Sequence, residues 1–63
     1  MTAKEIVRSL KVAGFDEIGQ KGAHKKMRHA IDKTRWTIVP MHKGDVPIGT
    51  LKAIETQTGV KLT

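Results

Sequence analysis

The chain has no cysteine. No disulfide can staple it, and zinc–thiolate sites are excluded. It has no tyrosine, one phenylalanine and one tryptophan, so few large rings are available to fill a core. No apolar run approaches the roughly 20 residues that cross a bilayer. The first residues alternate polar and apolar, which does not fit a secretory signal. These absences lead to the expectation of a cytoplasmic protein without membrane contact. Negative charge is also scarce: six Asp and Glu face twelve Lys and Arg, a net charge of +6 in 63 residues. Such an excess suits a polyanionic partner, nucleic acid above all, because neutralised phosphates release their condensed counterions. It also suits plain solubility. The length allows one domain, residues 1–63, and a chain this short buries only about 60% of its unfolded surface.

Thr2-Ala3-Lys4-Glu5 reads as a capping box. Ile6, Val7, Leu10 and Ala13 follow at helical spacing, with Lys4, Arg8 and Lys11 on the other side. Gly14 sits where a left-handed residue closes a helix, and Phe15 is placed to fold back on the last turn. The first helix is therefore expected over residues 3–13. From Phe15 the period changes. Residues 15–20 form a short strand ending at the turn signal Lys21-Gly22. Ala23 to His29 alternates as a second strand, and residues 30–33 connect it to a third. Thr34 to Val39 is rich in β-branched and aromatic residues, and Pro40 ends it. Residues 41–48 form a loop. Gly49 to Thr58 is a second helix with Leu51, Ile54 and Thr58 on its buried stripe and Gly59 at its exit.

The order is helix, three short strands, helix. Tight connections imply an antiparallel meander with both helices on one face and the other face open to water. The expected core is Ile6, Val7, Leu10, Phe15, Ile18, Met27, Leu51 and Ile54. One parity of the third strand joins them, either Trp36 with Ile38 or Thr37 with Val39. Trp36 is read as a core residue, with stacking on a base as the alternative.

The stretch Gln20 to His29, QKGAHKKMRH, holds the densest chemistry. With Met27 facing the core, strand parity sends His24, Lys26 and Arg28 to the open face and His29 to the other. An imidazole can take and give a proton near neutral pH. Two neighbouring cations can hold phosphates and steady charge on a phosphorane. RNA brings its own nucleophile, the 2′-hydroxyl, so a positioned base and phosphate clamps go far towards cleaving it. Gly22 either lets backbone approach a ligand or makes the turn. His42, in the loop after Pro40, is placed to swing to the open face as a second acid or phosphate contact, or is an ordinary loop residue. Lys21, Lys25 and Lys43 add attraction. Opposite parity keeps His24 and His29 from sharing a metal, and no cofactor is implied. Three functions stay open: RNA cleavage, RNA binding without chemistry, and docking of an acidic protein.

The pieces LKVAGF, KGAHKKMRH, VPMHKGDVPIGTLKAI and TGV occur in the order found in HicA-type toxins of bacterial type II toxin–antitoxin modules. That family's pattern runs Leu-x-x-x-Gly-Phe, Lys-Gly-Ser-His, Val-Pro-x-His-x-Gly, Pro-x-Gly-Thr-Leu and Ala-Gly-Leu. The resemblance spans about Ile6 to Val60. It implies an α+β fold like that of double-stranded-RNA-binding domains, α-β-β-β-α. It implies an endoribonuclease that cleaves mRNA until a HicB-type antitoxin neutralises it. The family's catalytic histidine falls on His24, and its Val-Pro-x-His piece on Val39, Pro40 and His42. With this resemblance, His24 is the expected catalytic residue, and Lys21, Gly22, Lys26, Arg28, His42 and Lys43 are the expected RNA contacts. Ala23 departs from the family's usual small polar residue. If that hydroxyl helps hold a phosphate, activity here is weaker.

Overall fold

A computed structural model describes residues 1–63. Helix α1 spans Ala3–Val12, strands β1, β2 and β3 span Phe15–Lys21, His24–His29 and Trp36–Pro40, and helix α2 spans Ile48–Thr58. The strands form one antiparallel sheet in the order β1-β2-β3. This is the expected α+β arrangement, with an open three-stranded sheet and two helices.

Both caps of α1 form as its sequence dictates. Thr2 Oγ1 accepts from the Glu5 amide at 3.3 Å, and Glu5 Oε1 accepts from the Thr2 amide at 2.8 Å. Gly14, at φ 97°, then turns the chain so that Phe15 is buried as β1 begins. Ala13 stays exposed, and Ala3 takes a core position instead. Helix α2 starts one residue earlier than expected. Pro47 precedes it as a cap without a side-chain hydrogen bond, and its fixed φ of −54° leads directly into the first turn.

The core gathers Ile6, Val7 and Leu10 of α1 with Phe15, Met27 and Val39 of the sheet and Leu51 and Ile54 of α2; Val46 joins from the loop. The parity of β3 is now fixed. Thr37 and Val39 are fully buried, while Trp36 and Ile38 are 46% and 38% exposed. Thr37 is tolerated inside because its hydroxyl donates to Gln57 Oε1 at 2.6 Å. Trp36 is therefore not a core residue. Strand β3 also begins later than its composition suggested, because Asp32 holds Thr34 and Arg35 in a turn. Its Oδ1 accepts from the Thr34 amide at 3.1 Å and hydroxyl at 2.6 Å, and its carbonyl accepts from the Arg35 amide at 3.1 Å.

Ile18 does not enter the core; it is 40% exposed. Phe15 and Ile18 lie three apart in a strand, and that spacing places them on opposite faces. A bulge reinforces this: Glu17 pairs with Met27 and Gly19 with Lys26, so Ile18 has no partner.

Four surface carboxyls carry pKa values below their ordinary ones. Glu17 is lowered first by the Lys25 ammonium and then by Lys11, tying β1 to β2 and α1. Glu55 is lowered by the amides of Leu62 and Thr63, which hold the C-terminal residues against α2. Asp32 is lowered by Thr34, and Glu5 by Thr2. A depressed folded-state pKa stabilises the fold above the unfolded value, and that stability is lost as pH falls through the folded one. Urea unfolding is therefore expected to give constant stability near neutral pH and a decline that sets in around the ordinary Glu value of 4.5. Stability unchanged at pH 3 would show that these contacts contribute nothing. Met27→Ala is expected to cost about 2–5 kcal/mol by the same measurement.

Candidate active site on the open sheet face

The middle strand sorts its side chains by parity. Met27 is buried, Lys25 and His29 are half-buried on the helix side, and His24 and Lys26 are exposed on the other. Register extends this order across the sheet. Lys21 pairs with His24, and His24 with Pro40. Gly19 pairs with Lys26, and Lys26 with Ile38. Asp16 pairs with Arg28, and Arg28 with Trp36. Directly opposed residues share a face. The open face thus carries Lys21, His24, Lys26 and the half-buried Arg28 together, with Asp16 opposite Arg28, bounded along β3 by Ile38 and Trp36. The Lys26 ammonium lies 4.5 Å from the centre of the Trp36 ring, a cation–π contact within that face.

A two-residue hairpin turn delivers His24 to its place. Lys21 and His24 are paired, with Gly22 and Ala23 between them. Gly22 has φ 58°, and no residue other than glycine in the chain has positive φ. That is the pattern of a type II′ connection, which needs glycine at its first central position and matches the twist of the strands. A Cβ on Gly22 would meet nothing within 4 Å. Its glycine serves the turn, not a close packing contact.

His42 reaches the same site through a different route. The Met41 amide donates to the Ala23 carbonyl at 2.6 Å, tying the exit of β3 to the turn beside His24. Further on, the Val46 amide donates to the Met1 carbonyl at 2.8 Å, and Asp45 bridges to Thr2. The loop is fastened at both ends. His42 then stands edge-on to His24, with ring centroids 6.2 Å apart and planes at 86°. His42 and Lys43 also line a groove of about 400 Å³ with Thr2, Lys4 and Met41. Ala23 takes part through its backbone, and a serine there would keep that contact.

Two basic residues of the same stretch are committed elsewhere. Lys25 is ion-paired with Glu17 on the helix side, so it is not part of the open-face cluster. His29 packs edge-on to Phe15 with centroids 5.1 Å apart. Its Nδ1 accepts from the amides of Ile31 at 3.2 Å and Asp32 at 3.0 Å, shaping the turn after β2. Arg35, which the sequence did not single out, is also structural. Its Nε donates to the Thr58 carbonyl at 2.7 Å, and its guanidinium lies 5.4 Å from the Phe15 ring centre.

The family model described as the HicA toxin of bacterial toxin–antitoxin systems matches residues 3–60. The chain belongs to the HicA toxin family. No curated protein matches it. As a toxin of a toxin–antitoxin module, this HicA-family protein has an antitoxin as its partner. The match runs from the first residue of α1 to just past the end of α2, so it covers every element that builds the open face. No helix of this toxin is long and apolar enough to cross a membrane.

Because the cost at Gly22 is one of backbone conformation alone, substitutions there should rank by their tolerance of positive φ. Gly22→Asn is expected to cost less than Gly22→Ala, and Gly22→Val the most, with Ala about 1–2 kcal/mol below the wild type. Urea unfolding of the three variants checks the order, and equal losses would disprove the turn argument.

Proposed function

We propose that this toxin is a metal-independent endoribonuclease that cleaves mRNA, with His24 as its catalytic residue. The observation that carries this reading is the meeting of His24 and His42, edge-on at 6.2 Å, on a face that also presents Lys21, Lys26 and Arg28. Two imidazoles beside one phosphodiester suffice for the reaction. The neutral ring takes the proton of the ribose 2′-hydroxyl as its oxygen attacks phosphorus. The protonated ring gives a proton to the 5′-oxygen as the P–O5′ bond breaks. The products are a 2′,3′-cyclic phosphate and a free 5′-hydroxyl, and no other reactant is consumed. We assign the base to His24 and the leaving-group acid to His42.

Lys21 and Lys26 flank His24 across and along the sheet, and with Arg28 they hold the phosphates and the charge that builds on phosphorus. Lys43 adds attraction from the loop. Gly22 acts through the turn that sets the height of His24. The cognate antitoxin is proposed to be of the HicB type and to cover this face, where His24 and His42 meet beside Lys21, Lys26 and Arg28. The open face would then be closed to RNA in the complex.

Purified toxin is expected to cleave single-stranded RNA in the presence of EDTA and to leave 2′,3′-cyclic phosphate ends. A 2′-deoxy substitution at the cut nucleotide should block the cut. His24→Ala is expected to abolish both cleavage and growth arrest. His42→Ala should slow cleavage by about 10²–10⁴-fold, the usual contribution of one acid or base. RNA bound yet intact after long incubation with wild-type toxin would leave a binding module that grips RNA without chemistry. Full activity in His24→Ala would remove the assignment.

A further inference from the structure

The open face carries one large side chain that the proposed chemistry does not use. Trp36 is the only tryptophan of the chain. It is 46% exposed, where a ring of its size would ordinarily be buried in so small a core. It stands across from Arg28 and beneath the Lys26 ammonium. Its row lies four residues along β2 from that of His24, about 13 Å. On the side away from β2, Trp36 and Ile38 face α2 across a groove of about 440 Å³. Gly49 and Ala53, one helical turn apart, line its far wall and keep it wide; a Cβ on Gly49 would meet nothing within 4 Å. Gln57 also lines it, and its carboxamide oxygen is already occupied by Thr37 Oγ1 at 2.6 Å. Its amide nitrogen is left as a donor.

We propose that Trp36 is a stacking platform for a nucleobase of single-stranded RNA, seated in the groove between β3 and α2. It would lie downstream or upstream of the phosphate at His24 on the same strand. A flat aromatic surface beside a row of cations is what single-stranded nucleic acid requires: the cations follow the backbone while the ring takes a base. Lys26 is placed to serve both, leaving the ring for a phosphate or clamping the base from above. No charged residue lines the groove itself, but the Lys26 ammonium stands over the Trp36 ring and Arg28 pairs with Trp36, so both cations lie just across the ring from it. An apolar peptide in the groove would gain nothing from them, and charge complementarity therefore selects the polyanion. The inference rests on RNA as the ligand of this face, not on its cleavage.

The single tryptophan makes the test direct. In the His24→Ala protein, which leaves RNA whole, a single-stranded oligoribonucleotide of about 12 nucleotides is titrated while indole emission and the anisotropy of a labelled RNA are followed. Saturable quenching that tracks binding is expected, and an abasic oligonucleotide of the same length should bind without quenching. Trp36→Ala should weaken binding roughly ten- to a hundredfold, and Trp36→Phe should restore most of it. RNA that binds with unchanged emission, and equally well to Trp36→Ala, would overturn the proposal. Emission that responds only to the antitoxin would overturn it too, and would make the groove a protein site. Quenching by RNA that wild-type toxin never cuts would uphold Trp36 while removing the ribonuclease reading.

Discussion

Met27 lies at the centre of the middle strand with no exposed surface, and its burial decides which way every other side chain of β2 points. A strand has a period of two, so one buried residue sets the whole row. Lys25 and His29 are drawn to the helix side with Met27, where each finds a structural partner in Glu17 or in the turn that follows β2. His24, Lys26 and Arg28 have only the open face left. A slip of one residue would turn Lys26 and Arg28 towards the core and expose the methionine, which makes this register far more favourable than its neighbours.

The sheet pairs then carry that choice outward. Lys21 stands opposite His24, and the β1 bulge at Ile18 keeps Lys21 on the open face while Glu17 faces the helices. Without the extra residue, the two ends of β1 could not satisfy both requirements, because Glu17 and Lys21 would share one face. The bulge also leaves Ile18, already on the open face by its spacing from Phe15, without a cross-strand partner. Concentrating cations on one face has an electrostatic cost to the fold, and the ion pairs of Glu17 with Lys11 and Lys25 offset part of it on the opposite side.

His42 shows how a flexible-looking segment is given a fixed address. Its loop has little secondary structure, yet one backbone hydrogen bond from Met41 to Ala23 and a second from Val46 to Met1 fasten both ends. Buried Val46 anchors it further in the core. The histidine pair is thus assembled from a hairpin turn and a loop more than a dozen residues apart in sequence, held by main-chain contacts that tolerate side-chain change.

Much of this was legible in the residues themselves. The capping box, the Gly14 and Gly59 exits, the three strands and the placement of His24, Lys26 and Arg28 follow from local rules of periodicity and turn chemistry. The parity of β3 did not, because Trp36-Thr37-Ile38-Val39 is apolar or β-branched on both faces and offers no alternation to read. Composition favoured burying the tryptophan; the structure buries Thr37 instead, because Gln57 on α2 satisfies its hydroxyl. Ile18 was misplaced because its hydrophobicity was weighed above its parity: three residues after buried Phe15, it falls on the opposite face of the strand. The sequence by itself determined the order of elements and the face that His24 occupies, since both depend on neighbours in the chain. Tertiary structure alone decided that His42 meets His24 and that Trp36 stands in the open beside Lys26. Those relations depend on how a loop is fastened and which helix covers which strand, and these are contacts between residues distant in sequence.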